Sequence, residues 1–226
     1  MATPLAMNPP IAPTLVIDGS GSAVFAGVLG PDGNWLAQSE QDGAPLESLF
    51  PSVEATLEAA QLTLTDIRSF IYCEGPGSVL GLRLCAMAIE TWSHLHPESA
   101  HYFAYNSLQL TAALIGEDTP GIDNALLVSD WKKGAWNAVK IQHGQPGPTA
   151  VADDATIASW TGPLYHLPQR KGWQKPPTNA TPVQYSPQRL LEVLHLPKPT
   201  EGVELYASGI NVFQKWTPER HRAPRS

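Results

Sequence analysis

The chain has 226 residues, of which 42% are hydrophobic and 15% charged, and its formal net charge is −7 at pH 7. This length allows a substantial core, in one large or two small domains. The acidic balance excludes a protein that grips nucleic acid by itself, because phosphate contacts need clustered Lys and Arg.

The sequence indicates a protein of the cytoplasm. No apolar run approaches the length of a membrane span, and the first residues lack the basic and apolar regions of a signal peptide. The two cysteines, Cys73 and Cys85, have no partner at metal-ligand spacing. We therefore expect buried free thiols in a reducing compartment.

The first elements form a strand-rich unit followed by a helix. Residues 1–13 are rich in proline and predict a flexible arm. Strands are expected at 14–17, at 23–29 and from Trp35, with a hairpin turn at 31–34. A helix is expected over 46–60, because its apolar residues recur at three- and four-residue steps. These residues are Leu46, Leu49, Phe50, Val53, Leu57 and Ala60.

A glycine turn joins a strand at 70–73 to an apolar helix over 82–95. The turn residues are Gly75, Pro76, Gly77, Ser78, Gly81 and Arg83. Gly75 and Gly77 are expected at positive φ, Ser78 as the helix N-cap, and Gly81 where another backbone comes close. A phosphate cradle is the alternative, but Glu74 stands at its mouth and no Lys-Ser or Lys-Thr pair follows. We interpret the segment as a structural turn.

The helix over 82–95 is apolar on nearly every side, so it must be covered on more than one side. It is either a central core helix or a core helix whose outer face contacts another chain; the sequence leaves both open. For the second case we expect one stripe of this helix, together with part of helix 46–60, to form the contact. The expected contact residues are Leu46, Leu49, Phe50, Val53, Leu84, Met87, Ala88 and Trp92.

The second half begins with a repeat of the first. Residues 127–130 resemble 15–18, and in both copies alanines follow the aspartate by five and eight residues. A strand at 101–105, a helix at 107–115 and a polar stretch at 116–123 precede the repeat. The pattern predicts two related subdomains of an α/β fold, at 14–118 and 123–214, with the second reduced and a basic tail at 215–226.

The end of the chain is poor in periodicity. Beyond a proline-rich stretch at 162–187, we expect a short helix from Pro187 to Leu194, with Ser186 as its cap. A last strand is expected at 203–207.

The segment Gly-Pro-Gly-Ser-Val-Leu-Gly-Leu-Arg at 75–83 resembles the signature of the TsaB (YeaZ) family. Residues 15–20 are similar to the family's opening strand, with Gly19 in place of its usual Thr, and the matches extend to 65–67 and 106–108. The resemblance implies an actin-like and ribonuclease-H-like fold. It also implies a non-catalytic partner in the synthesis of threonylcarbamoyl-adenosine on tRNA.

The same resemblance implies the partners. The chain would bind a TsaD-type catalytic subunit, with a TsaE-type ATPase as a further candidate, and would form a homodimer when alone. It would meet tRNA only through the complex, and no catalytic residue, cofactor or metal is expected in the chain itself.

The sequence leaves two rival functions open. An actin-like ATPase or small-molecule kinase would use Asp18, Gly19 and Ser20 as a phosphate loop, but the equivalent second loop carries the bulky Trp131. We therefore interpret the first loop as vestigial. The resemblance also implies that relatives with the tRNA chemistry hold a metal through two helical histidines spaced by three residues. Here His94 and His96 are only two residues apart, so no metal site is expected. A glycoprotease-type peptidase is the least favoured function, because neither Ser20 nor Ser78 stands in a G-x-S-x-G motif.

Overall fold

The computed structural model describes residues 12–95, 100–168 and 175–207, and all but one strand of its first sheet come from the N-terminal half of the chain. The strand order of this sheet is β12-β5-β4-β1-β2-β3. β1 pairs antiparallel with β2 and parallel with β4, and β4 pairs parallel with β5. The strands are β1 (Thr14–Asp18), β2 (Ala23–Leu29), β3 (Trp35–Asp42), β4 (Ser69–Gly75), β5 (His101–Asn106) and β12 (Lys198–Thr200).

Helices cover both faces of this sheet, and its central strands are therefore buried on both sides. α1 (Pro45–Ala59) and α2 (Val79–Ser93) pack on the face that carries Leu15 and Ile17. α3 (Ser107–Asp118) and a short 3-10 helix at Pro187–Val193 pack on the opposite face, which carries Val16 and Ile71. Another 3-10 helix, at Leu64–Asp66, precedes β4. The alternation along β1 follows the two-residue period of a strand.

The second sheet follows the order β11-β10-β6-β7-β8, with β9 also paired to β7. α3 packs on this sheet as well, so its apolar residues lie between the two cores. The face of the second sheet opposite α3 is covered by α4 (Asp154–Ala158), a helix of only five residues. The strands are β6 (Ala125–Lys132), β7 (Ala135–Gln142), β8 (Gln145–Pro146), β9 (Ala150–Asp153), β10 (Leu164–Leu167) and β11 (Thr181–Pro182).

This architecture confirms the predicted fold class. Three antiparallel strands followed by parallel strands with crossover helices form a ribonuclease-H-like unit, and the antiparallel pair β6–β7 repeats the pair β1–β2. β2 and β7 begin at Ala23 and Ala135, the first alanine of each predicted repeat. The second unit is reduced, since α4 replaces longer helices in the described part of the chain.

Two expectations for the end of the chain are wrong. Residues 203–207 form no strand: Val203 and Leu205 pack on the first core, and the Tyr206 N–H gives one hydrogen bond of 2.9 Å to the Glu74 carbonyl. The strand lies earlier, at β12, which pairs antiparallel with β5. Ser186 precedes the 3-10 helix, but its side chain makes no capping hydrogen bond.

The predicted subdomain limits stay a prediction. One segment of the predicted second subdomain, β12, belongs to the first sheet. Residues 1–11 of the predicted arm and the whole predicted tail at 215–226 lie outside the described residues.

Candidate functional site

The predicted phosphate loop begins at Asp18, whose carboxylate is buried and fully hydrogen-bonded. Its exposed fraction is 1%. Oδ1 accepts from the backbone N–H and the hydroxyl of Ser20, both at 2.7 Å. Oδ2 accepts from the hydroxyls of Tyr105 and Tyr185. Two bonds at each oxygen fill the lone-pair positions of a carboxylate, so Asp18 has no capacity left for the waters of a metal ion.

The glycine turn before α2 packs directly against this loop. The Ser78 N–H donates to the Ser20 carbonyl at 2.8 Å, and a Cβ on Gly81 would lie 2.0 Å from the Gly19 carbonyl oxygen. Gly81 therefore allows the close backbone approach that its position predicted. The Ser78 hydroxyl accepts from the Gly81 N–H at 3.3 Å, which confirms Ser78 as the N-cap of α2.

The two glycines of the turn have different roles. Gly75 has φ of +114°, as expected, whereas Gly77 is not at positive φ, so that expectation is wrong. Gly77 is required for space instead, because a Cβ there would lie 2.4 Å from the Ser20 carbonyl oxygen. Pro76 lies between them, and Arg83 lies on the exposed side of α2.

The titratable neighbours of Asp18 are held in their neutral forms. Burial raises the pKa of the Tyr105 and Tyr185 hydroxyls, and the negative charge of Asp18 raises it further. The same two causes, in the same order, raise the pKa of the Cys73 and Cys85 thiols. Both cysteines are buried and free, as the sequence predicted.

No sequence pattern identifies the two tyrosines as partners of Asp18. They are 87 and 167 residues from Asp18 in the chain. Tyr105 ends a predicted strand, where its apolar ring explains its presence, and Tyr185 lies in the proline-rich stretch. An alternating pattern along 101–105 places Tyr105 on a sheet face but does not identify the acceptor of its hydroxyl.

The equivalent loop of the second half is a tight hairpin. β6 continues to Lys132 and β7 begins at Ala135, so only Lys133 and Gly134 form the turn. The ammonium of Lys132 lies 4.0 Å from the ring centroid of Trp131. A two-residue turn beside a bulky side chain leaves no backbone cradle for a phosphate.

Beneath that hairpin lies a buried polar group that sequence reasoning missed. His166 Nε2 is 3.7 Å from Asp130 Oδ1, and its ring stands edge-on to Trp136 at 5.8 Å between centroids. Burial lowers the pKa of His166, and Asp130 opposes that shift. The sequence does not reveal this pair, because His166 and Asp130 come from different strands.

The eight predicted contact residues divide into two groups. Leu46, Phe50 and Met87 are exposed, and Leu84 is half-buried. The other four are core residues, so their assignment to a surface is wrong. They are Leu49, Val53, Ala88 and Trp92.

The four wrong surface assignments have a simple physical cause. α2 begins at Val79, and its core stripe is the series Cys85, Ala88, Ile89 and Trp92. Its outward stripe is Leu80, Leu84 and Met87, at steps of four and three. Since both stripes are apolar, helical periodicity cannot decide which one faces the sheet.

The exposed residues form what we call the α1–α2 face: Leu46 and Phe50 on α1, with Val79, Leu80 and Met87 on α2. The two helices pack together, and the Phe50 ring stands edge-on to Trp92 with centroids 6.1 Å apart. Exposed fractions reach 63% at Leu46 and 62% at Met87. Exposed apolar side chains grouped in this way mark interaction surfaces.

Neither a metal centre nor a membrane span is found in the described ranges. No group of three His, Cys, Asp or Glu side chains there could hold a metal ion. His94 is the C-cap of α2, whereas His96 lies outside the described residues. No helix within those ranges has both the length and the apolar character needed to cross a bilayer.

Comparisons with known proteins agree with this geometry. Residues 44–101, which contain α1, β4 and α2, match the family model of TsaD, tRNA N6-adenosine threonylcarbamoyltransferase. No curated protein matches the sequence significantly.

Two solved structures have the same fold over most of the chain. YeaZ from Pseudomonas aeruginosa is 15% identical with a TM-score of 0.59, and the match covers 86% of this chain and 98% of that one. An uncharacterized protein with similarity to peptidase YEAZ, also from P. aeruginosa, is 16% identical with a TM-score of 0.60, over 85% and 98% of the two chains. The chain thus has the fold of YeaZ, and the resemblance to the TsaB (YeaZ) family that its sequence predicted is confirmed.

Proposed function

We propose that the chain is a non-catalytic subunit that supports threonylcarbamoyl transfer to adenosine in tRNA by binding a TsaD-type catalytic subunit. The observation that carries the proposal is the α1–α2 face, which lies inside the segment that matches the TsaD family model. The YeaZ-like fold and the family match are its background.

The α1–α2 face suits a protein contact in both composition and placement. Leucine, phenylalanine and methionine side chains make up most of it, and charged residues such as Glu47 and Arg83 are exposed on the same helices. An apolar centre with a polar rim is the usual anatomy of a protein interface. In the absence of the catalytic subunit, the same face would pair two copies of this chain into a homodimer.

The Asp18 cluster supports a role without ATP chemistry. A phosphate loop in an ATPase or kinase needs an aspartate that can reach a metal and a backbone that can approach the nucleotide. Here the Asp18 oxygens are taken by Ser20, Tyr105 and Tyr185, and the loop backbone is packed against α2. With a net charge of −7, contact with tRNA is expected through the complex, to which a TsaE-type ATPase would also bind.

Reconstitution tests this proposal. The TsaD-type subunit of the source cell is assayed for threonylcarbamoyl transfer to tRNA, with and without this chain, from a supplied threonylcarbamoyl donor. We expect the chain alone to be inactive and the pair to be active. Transfer by the catalytic subunit at the same rate without the chain would contradict the proposal.

A second arm tests the rival function. ATP hydrolysis by the isolated chain is measured beside the Asp18→Ala variant, and we expect no turnover in either. Hydrolysis that disappears in Asp18→Ala would favour an ATPase or kinase instead.

A further inference from the structure

A cavity of about 950 Å³ lies between the two halves of the chain. Its walls are the loop at 20–22, the N-terminal ends of α1 and α2, and residues 182–185 of the second half. Small-molecule sites typically have volumes of about 300–1,000 Å³. The cavity therefore has the size of a ligand site, and both halves of the chain build it.

The charge of the described lining disfavours a phosphate ligand. Glu40, on β3, is the one charged residue among those that line the described cavity, and no Lys or Arg is among them. A carboxylate is only an acceptor of hydrogen bonds and repels an anion. A ligand that donates hydrogen bonds is therefore favoured over one that only accepts them.

The serine hydroxyls of the lining have complementary capacities. Ser78 Oγ accepts from the Gly81 N–H at 3.3 Å, so its own proton can be donated to a ligand. Ser20 Oγ donates to Asp18, and Ser107 Oγ donates to the Pro76 carbonyl, so both have lone pairs to offer. A ligand hydroxyl, which donates and accepts at once, matches such a mixed set.

Much of the remaining wall is apolar, and Ser22 and Gln184 are its other polar residues. Val79, Leu167 and Val183 line the cavity together with Pro45 and Pro182. The ring of Tyr185 is also part of the lining, and its hydroxyl is held by Asp18 on the side of the loop. Surfaces of this kind pack against the carbon faces of a sugar ring or a nucleobase.

We propose that this cavity binds a neutral ring compound with a vicinal diol, such as a ribonucleoside or a sugar. Glu40 accepts hydrogen bonds from both hydroxyls of the diol, and the serine hydroxyls bind the remaining polar groups. The ligand class follows from the lining alone, so the proposal does not depend on the partner function.

Matched ligand pairs test the proposal by titration calorimetry on the full chain. Adenosine is compared with 2′-deoxyadenosine and with adenosine 5′-phosphate, and glucose with glucose 6-phosphate. We expect saturable binding of adenosine or glucose, with each phosphorylated compound bound at least about tenfold more weakly. Whether adenosine or glucose binds identifies the source of the diol, and loss of one hydroxyl in 2′-deoxyadenosine should weaken binding as well.

Two variants assign the binding to the cavity. Glu40→Gln should weaken binding of the diol about tenfold or more, since hydrogen bonds to a charged acceptor are the stronger ones. Asp42→Asn makes the same charge change two residues away on β3, outside the lining, and should leave the affinity unchanged. The proposal is overturned if neither adenosine nor glucose binds at millimolar concentration, if the phosphorylated compound binds more tightly, or if Glu40→Gln has no effect.

Discussion

The two halves of the chain begin with the same strand pair but use the connection between the strands differently. In the first half, Gly19 and Ser20 are packed beneath α2, and Asp18 is enclosed by Tyr105 and Tyr185. In the second half, β6 and β7 are joined by a two-residue turn beside Trp131. The first connection is part of the core, whereas the second is a surface hairpin.

This difference shows how a repeated unit can diverge without loss of the fold. The first half keeps two 15-residue helices, and their outer side forms the α1–α2 face. The second half keeps its sheet but has α4 on the face opposite α3. The first half therefore holds the surface we assign to a partner, and each half contributes residues to the cavity between them.

The largest expected effect concerns the glycines of the two connections. Gly81→Ala should lower the free energy of unfolding by about 3 kcal/mol or more, because its Cβ would overlap the Gly19 carbonyl, which is backbone and not a flexible side chain. Gly134→Ala, in the hairpin turn, should cost only about 1 kcal/mol, since φ is +78° but the nearest atom is 3.7 Å away. Urea denaturation measures both.

Equal losses for these two variants would contradict the comparison, because the first connection would then be no more tightly packed than the second. Gly77→Val belongs to the Gly81 class, since its Cβ would meet the Ser20 carbonyl. A Gly77→Val variant that melts like the parent but loses a ligand would make the turn a binding loop.

Sequence periodicity could identify nearly every strand and helix of the first half, because each has a clear apolar pattern and an identifiable end such as Ser78. It could not orient α2, whose two stripes are equally apolar, and so it placed Trp92 on a surface. It could not find the Asp18 cluster either, because the acceptor and its Tyr185 donor are joined only by the folded chain. The strand expected at 203–207 is wrong because an alternation of apolar and polar residues indicates which side chains are buried, as at Val203 and Leu205. It does not show that the backbone pairs with another strand.

The next effect concerns the link between the two halves. Tyr185→Phe keeps the ring but removes one hydrogen bond to the buried Asp18 carboxylate, and should lower the free energy of unfolding by about 1.5–3 kcal/mol. In an Asp18→Asn background the same change should cost less, because the charged acceptor is gone. A double-mutant cycle measured by urea denaturation gives the coupling energy between the two residues. Additive losses would show that the Tyr185 hydroxyl does not act through the Asp18 carboxylate.

A smaller effect separates the Asp18 cluster from the buried His166–Asp130 pair by pH. The raised pKa of Cys73, Cys85, Tyr105 and Tyr185 keeps them protonated in the folded chain, so stability should fall as pH rises above about 8.5, where unfolded thiols ionise, and further above about 10 for the tyrosines. The lowered pKa of His166 has the opposite consequence: below about pH 6.5 the unfolded chain takes up a proton that the folded chain does not, so stability falls as pH decreases.

The free energy of unfolding, measured across this pH range, checks both losses of stability. Cys85→Ala should reduce only the loss of stability at alkaline pH, and His166→Gln only the loss of stability at acidic pH. If either variant changed the alkaline and the acidic loss of stability equally, the Asp18 cluster and the His166–Asp130 pair would not be independent.

The most direct test of the partner role is the binding of the TsaD-type subunit to two variants of this chain, measured by analytical sedimentation. Met87→Glu places a charge on the α1–α2 face, and Val151→Glu places the same charge on an exposed apolar residue of the second half. We predict that Met87→Glu weakens the complex by about 2 kcal/mol or more, roughly thirtyfold, while the monomer still melts cooperatively. Val151→Glu should bind like the parent. Full binding by a folded Met87→Glu variant would contradict the assignment of this face to the catalytic partner.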